Sequence, residues 1–326
     1  MITAAGSAAG SHVASAPGKI LLAGEYAVLE GAEAVVMAVD RRVVARIDEF
    51  GGRALSSFLI AARDALAEEL GQDCPAVRAA GAVSVDSGAL ALADGTKLGL
   101  GSSAAATVAA LGCALASGGE NASPDRILAL AHRAHASAQR GRGSGVDVAA
   151  AALGGLCAAT PAGGARPPRI RTLPLPDTLT WIAAFSGRAA HTPTLIAASE
   201  AAKARSPGGY AEAIHALAEA AAALAGALET ADAPAVVAAI ATGAEAVAVL
   251  DAVMEPELVI PAHAAIAAAA RKCGGAAKPT GAASGDLSIA AFADPEAAAR
   301  FTAALAAQAI SAFEVGPAPG VTITAS

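Results

Sequence analysis

The sequence predicts an α+β protein in two domains, and three observations carry that prediction. Strand-like and helical segments mix in both halves of the 326-residue chain instead of repeating as regular βαβ units. A stretch at 161–176 holds five prolines, two adjacent glycines and Arg166, Arg169 and Arg171, the composition of a domain boundary. It divides the chain into 1–165 and 166–326. Finally, 55% of the residues are apolar but only 3% are aromatic, because alanine dominates. Alanine is the best helix former, so many closely packed helices with thin interfaces are expected.

Taken in order, residues 16–29 read as extended chain broken at Gly24 and Gly31, and Val35–Ile47 as a strand pair. Leu55–Leu70 has helical spacing, and Val77–Leu90 returns to strand character with turns near Gly81 and Ser87-Gly88. Ala104–Leu115 is helical. Ser123-Pro124-Asp125 starts another helix, with serine as cap, proline in the first turn and an acid at the positive dipole end, and this helix runs to about Gln139. Gly141–Gly145 breaks the chain before a short helix from Val146. Beyond the boundary come a strand at Thr180–Phe185, helices at 192–204, 209–229, 233–251 and 261–272, a strand at Leu287–Phe292, a helix at 295–308 and a last strand at 311–315.

Composition excludes several classes of function. A net charge of -7 lacks the basic balance of a nucleic-acid protein, while local lysines and arginines remain able to hold a small anion. Cys74, Cys113, Cys157 and Cys273 contain no Cys-x-x-Cys pair, so neither a zinc site nor a redox motif is indicated. The first fourteen residues lack a positive segment followed by an apolar core and read as a loose tail. The apolar run Tyr210–Leu228 is interrupted by Glu212, His215 and Glu219, which suits a packed helix better than a membrane span. A cytoplasmic protein is expected, with no membrane partner, as a monomer or homodimer.

Three small-residue segments are candidates for chemistry. In Gly99-Leu100-Gly101-Ser102-Ser103-Ala104, small residues lead into a helix whose first N–H groups are unpaired, an arrangement suited to a polyphosphate. The segment has neither the Gly-Lys-Ser/Thr of a P-loop nor a dinucleotide fingerprint. Ser103 is the metal-side candidate. Arg142-Gly143-Ser144-Gly145-Val146-Asp147 places a carboxylate in a first helical turn, where it either stabilises the dipole or orients an attacking oxygen. Lys19, in a Pro-Gly-Lys turn before an apolar strand, is its natural partner. Lys278-Pro279-Thr280-Gly281-Ala282-Ala283-Ser284-Gly285-Asp286 either lines a ligand or closes a tight loop. His132, His135, His215 and His263 fall in helical stretches and read as structural or surface residues.

In this order and spacing the segments resemble the GHMP kinases. Pro17-Gly18-Lys19 with Gly24-Glu25-Tyr26 is similar to their first motif, Gly99–Ala105 to their second and Lys278–Asp286 to their third. The resemblance spans about residues 16–292. It implies an N-terminal ribosomal-protein-S5-like domain that binds ATP, a C-terminal ferredoxin-like domain, and an active site between them using ATP and Mg²⁺. Lys97-Leu98 before the glycine segment, Tyr26, and Gly143–Val148 resemble the phosphomevalonate kinase branch. That branch implies phosphorylation of the anionic substrate 5-phosphomevalonate, the alternative being mevalonate kinase or another alcohol kinase of the fold. On this resemblance Lys19 and Asp147 are catalytic, and Lys97 joins the glycine segment around the nucleotide. Glu25, Tyr26, Ser144, Gly145 and Ala283 join Lys19 and Asp147 around the acceptor. Arg142, Arg188, His191, Lys97 and Lys278 are the basic candidates for gripping its phosphate or carboxylate, Arg188 and His191 because Ser186-Gly187 ends a strand immediately before them.

Overall fold

A computed structural model describes residues 12–48, 54–141, 143–164, 166–255 and 257–325. Strand β1 (His12–Ala23) and β2 (Ala34–Ile47) form the first hairpin, followed by helices α1 (Ser57–Leu70) and α2 (Pro75–Gly81), then β3 (Val83–Asp86). Helices α3 (Ser102–Ser117), α4 (Pro124–Ala138) and α5 (Val146–Leu153) lead into β4 (Leu156–Thr160) and β5 (Arg169–Thr172). The second half opens with β6 (Thr180–Phe185) and runs through α6 (Thr192–Arg205), α7 (Pro207–Glu229), α8 (Ala233–Asp251) and α9 (Pro261–Lys272). Strands β7 (Ala276–Pro279) and β8 (Leu287–Phe292), helix α10 (Pro295–Ala306), β9 (Ala312–Val315) and β10 (Thr322–Ala325) complete it.

Two antiparallel sheets organise these elements among the described residues. The first runs β10-β1-β2-β4-β5, with β3 paired to the far end of β2; the second runs β7-β8-β6-β9. The second order, with helices between β6 and β7 and between β8 and β9, is that of a ferredoxin-like domain. Fold class is thus α+β, as the mixed element order predicts. Strands β5 and β10 both lie C-terminal to residue 165, yet both pair into the first sheet.

Burial follows strand alternation. Ile20 and Leu22 of β1 and Val35 and Met37 of β2 face α3, while Leu21, Ala34 and Val36 face Val146 and Ala150 of α5. In the second sheet Ile182, Ala184 and Phe292 pack under α9 and α10, and Trp181, Ala183 and Ile289 join the core that reaches the first sheet. One apolar cluster therefore passes through both lobes. Helices α7 and α8 are long and apolar enough to cross a membrane by length and composition; here they pack on each other, with α8 against β7.

Several local expectations are corrected. Val35–Ile47 is not a strand pair but part of one continuous strand, in which Asp40 and Arg41 bulge out opposite Pro17/Gly18 of β1, where the register shifts. The start of Val77–Leu90 is helical: Pro75 opens α2, whose Ala76 backbone lies so close to Gly118 that a Cβ there would sit 2.5 Å from it. Ser123 precedes α4 but makes no side-chain cap bond. Of the expected N-terminal tail, residues 1–11 lie outside the described residues and His12 onward is strand. The strand β10 has no counterpart in the sequence reading. Arg42 anchors the chain entering it, donating to the Pro319 carbonyl (2.8 Å), the Gly320 carbonyl (2.7 Å) and Ser15 Oγ (2.9 Å).

Candidate active site

The three small-residue segments meet in one cavity of about 790 Å³ at the seam between the lobes. The glycine segment is held by its neighbours in sequence. Leu98 and Leu100 are buried, so the intervening Gly99 and the following Gly101 turn toward the cavity. Both glycines have left-handed backbones, with φ of 74° and 73°, a conformation that costs other residues about 1–2 kcal/mol. The loop is tied to β1 by the Lys19 N–H, which donates to the Leu100 carbonyl at 2.9 Å. This contact explains Gly18, where a Cβ would lie 2.9 Å from that carbonyl oxygen.

Helix α3 then begins at Ser102 with Gly101 as its cap residue. The N–H groups of Ser102, Ser103 and Ala104 have no intrahelical carbonyl to bond, and with the helix dipole they favour an anion at this wall. The Ala104 methyl is itself buried, so Ala104 offers backbone only. Beside this wall the Lys19 stem packs against Gly101, and its Nζ lies 3.4 Å from Asp147 Oδ1. Asp147 is in the first turn of α5, and its side chain is more exposed than that of Lys19, 38% against 10%. Gly145, at φ 76°, allows this turn to pass the His132 ring, since a Cβ would sit 2.4 Å from Nδ1.

The cavity thus brings together Lys19, Tyr26, Lys97, Gly99, Gly101, Ser102, Ser103, Ser144, Gly145 and Asp147 from the sequence-predicted set. Lys97 stands exposed at its edge. Tyr26 contributes its ring, but its hydroxyl donates to the Ala282 carbonyl at 2.7 Å. Burial, with the neighbouring Glu25 charge second, pushes its ionisation well above the ordinary tyrosine range.

Other predicted acceptor residues are placed elsewhere. Lys278 and Glu25 do not line the cavity: they form an ion pair with side chains only 1% and 2% exposed, joining the first motif to the third. Lys278 Nζ also donates to the Pro279 carbonyl at 2.9 Å. Water cannot solvate either charge there, so each requires the other. The Ala283 methyl packs in the cluster with Tyr26, Ala27 and Leu195 and is 1% exposed. Arg188 donates from Nε to the Ser284 carbonyl at 2.9 Å and from Nη2 to Ser284 Oγ at 3.2 Å, in a separate shallow cleft that it shares with His191. Nδ1 of His191 is 2.6 Å from Thr194 Oγ1. Arg142 lies outside the described residues.

Two titratable cavity residues were missed by sequence reasoning. Asp286 accepts from the Ala190 N–H at 2.9 Å and rests against Gly99, where a Cβ would meet its Oδ2 at 2.4 Å. Burial raises its pKa above the usual carboxylate range, against the lowering effects of that N–H and Lys19. Its place at the end of the third motif was the available signal. His135 was assigned to a helix face, but it is buried in the cavity wall with Nε2 3.3 Å from Ser103 Oγ. Its burial lowers the imidazole pKa, opposed mainly by the Asp147 charge. Nothing in the helical spacing of α4 separates it from His132.

Comparison with known proteins identifies the family and the fold. The family described as GHMP kinases N terminal domain matches residues 56–155. A phosphomevalonate kinase from Streptomyces sp. (strain CL190) is 30% identical over 351 residues, spanning 89% of this chain and 92% of that one. Among solved structures, a Lin0012 protein from Listeria innocua has a TM-score of 0.83 at 22% identity, covering 97% of this chain and all of that one. Streptococcus pneumoniae phosphomevalonate kinase, in complex with phosphomevalonate and AMPPNP, gives 0.77 at 17% identity, with coverage of 94% and 99%. L. major mevalonate kinase in complex with R-mevalonate gives 0.69 at 18% identity, with coverage of 94% and 96%. The solved structures share the fold, and the Streptomyces relative matches along nearly the whole of both sequences. On that ground the chain belongs to the GHMP kinase family.

Proposed function

We propose that this kinase transfers the γ-phosphoryl group of ATP to the terminal phosphate of (R)-5-phosphomevalonate. The bond from the γ-phosphorus to the β,γ-bridging oxygen breaks, a bond to an acceptor phosphate oxygen forms, and (R)-5-diphosphomevalonate and ADP leave. The observation that carries the reading is the Lys19–Asp147 pair, 3.4 Å apart, lining the same cavity as the N-terminus of α3, with the Lys19 stem packed against the cap residue Gly101. The likeness to the Streptomyces phosphomevalonate kinase supports the choice of acceptor. In this reaction the first-turn N–H groups and Gly99–Ser103 hold the nucleotide phosphates. Lys19 neutralises charge between donor and acceptor, and Asp147 orients Lys19 and the acceptor oxygen. The acceptor is already an anion, so charge neutralisation outweighs base catalysis.

Mg²⁺ fits as a companion of the nucleotide. Among the described residues no three His, Cys, Asp or Glu side chains form a cluster able to hold a metal. The oxygens on hand, the Ser102 and Ser103 hydroxyls and the Asp147 carboxylate, are of the kind Mg²⁺ accepts. The ion would be held chiefly by phosphates, with Ser103 as the protein ligand, and when bound it neutralises their charge.

A second reading is an alcohol kinase acting on mevalonate. The likeness to L. major mevalonate kinase and the exposure of the Asp147 carboxylate favour it, since an alcohol acceptor needs a base. Purified protein given MgATP and either mevalonate or 5-phosphomevalonate, with ADP release followed, separates the two. The higher kcat/KM is expected with 5-phosphomevalonate; faster turnover of mevalonate would reject the assignment. Substrate and nucleotide of this kind are small soluble anions, consistent with a cytoplasmic enzyme.

A further inference from the structure

Three helices converge behind the glycine loop on one side chain that the phosphoryl-transfer scheme leaves unused. His135 stands near the C-terminal end of α4, only 6% exposed. One side of its ring meets Phe58 of α1, with centroids 4.9 Å apart and planes at 30°. This aromatic contact fixes where the ring sits. Its Nε2 reaches α3, 3.3 Å from Ser103 Oγ. Ser103 is pinned from its backbone side as well, because Thr107 Oγ1 donates to the Ser103 carbonyl at 2.8 Å.

A serine hydroxyl has one proton, two acceptor sites and a nearly free torsion. Left alone at a helix N-terminus, it samples several directions and loses entropy when a ligand selects one. A single fixed partner removes most of that freedom. If Nε2 accepts, the Ser103 proton is taken and the oxygen lone pairs remain for the cavity. If Nε2 donates, the proton is left to point into the cavity. In both tautomers the imidazole decides what Ser103 presents beside the first-turn N–H groups.

We propose that His135 is a positioning residue that pre-orients the Ser103 hydroxyl for the nucleotide phosphates or their cation. The inference rests on the reading that Gly99–Ser103 holds those phosphates. It assigns His135 no contact with the reacting atoms.

The test is a double-mutant cycle on the full chain, reading the dissociation constant of Mg-AMPPNP by titration and thermal melting in parallel. His135→Leu is expected to weaken binding about tenfold, in the range of a lost hydrogen bond to a group that meets a charge. His135→Gln, which places an amide near the position of Nε2, should stay within about threefold of the parent. His135→Asn is polar but too short and should behave like His135→Leu, which keeps the test usable where leucine harms folding. In a Ser103→Ala background His135→Leu should change affinity less than twofold, because its route of action has gone. An equal loss in both backgrounds, or unchanged binding in His135→Leu and His135→Asn, would overturn the proposal while leaving the phosphate site standing. Failure of the parent protein to bind Mg-AMPPNP would overturn both.

Discussion

Replacing Lys278 by Met tests whether the first and third motifs grip substrate or grip each other. The ammonium and the Glu25 carboxylate are nearly sealed from water, with side chains 1% and 2% exposed, and Glu25 Oε2 has no hydrogen-bond partner in the structure. Removing the lysine leaves a buried carboxylate without its counter-charge, which typically costs about 3–5 kcal/mol. Unfolding entropy of roughly 2.1 cal/mol/K per residue, over 326 residues, comes to about 0.7 kcal/mol/K if the chain melts as one unit. The apolar cluster shared by both lobes favours that cooperativity. A loss of about 4 kcal/mol should then lower Tm by about 6 °C. Pairing Lys278→Met with Glu25→Met replaces both charges with apolar groups of similar size and should recover most of the loss. Circular-dichroism melts of the two variants, beside steady-state kinetics, supply the readout. The reasoning fails if Lys278→Met melts within about 1 °C of the parent while the acceptor KM rises tenfold, the pattern expected of a lysine that touches substrate.

Three other predictions concern the cavity and its support. Asp147→Asn should leave nucleotide binding intact and reduce turnover at least ~10²-fold, within the range of a positioned catalytic group; near-normal kcat would remove it from the reaction. Gly101→Ala should weaken nucleotide binding about tenfold, since φ is 73° and the new methyl carbon would stand 2.9 Å from Lys19 Cε; titration with AMPPNP would show an unchanged constant if the loop is not the phosphate site. His263 is buried with Nδ1 2.8 Å from Ser288 Oγ, and burial pushes its pKa down to about 4. The unfolded chain therefore takes up more protons between about pH 6.5 and 4, so stability should fall as pH drops through that window, by up to about 3 kcal/mol. His263→Gln should flatten that dependence in denaturant unfolding, and an unaltered slope would discount the histidine.

The site was legible to the extent that local backbone chemistry dictates it. Gly99 and Gly101 need left-handed conformations, and Gly18 must admit a neighbouring carbonyl. Such demands leave small residues in a fixed order that can be read without coordinates. Long helices such as α8 and α9 were equally readable, because proline starts and apolar spacing act within a few turns. Elements that depend on distant contacts were not. Helix α2 depends on the close approach of Gly118 to Ala76, and β10 on Arg42 holding residues far away in sequence.

Lys278 and His135 mark the boundary most clearly. A lysine in a glycine-rich motif suggests a grip on an anion, but which anion depends on what lies within reach, and here it is Glu25, 253 residues earlier. A histidine on a helix carries no sign of its partner, and only the packing of α1, α3 and α4 brings Phe58 and Ser103 to it. The sequence by itself determined the mixed α+β class, the glycine-led helix start proposed to hold phosphate and the candidacy of Lys19 and Asp147, since each rests on backbone geometry or residue chemistry close along the chain. Tertiary structure alone decided which charges face the cavity and which neutralise each other, because ionic and hydrogen-bond energies depend on distance in space and exclusion of water, neither of which is encoded in local spacing.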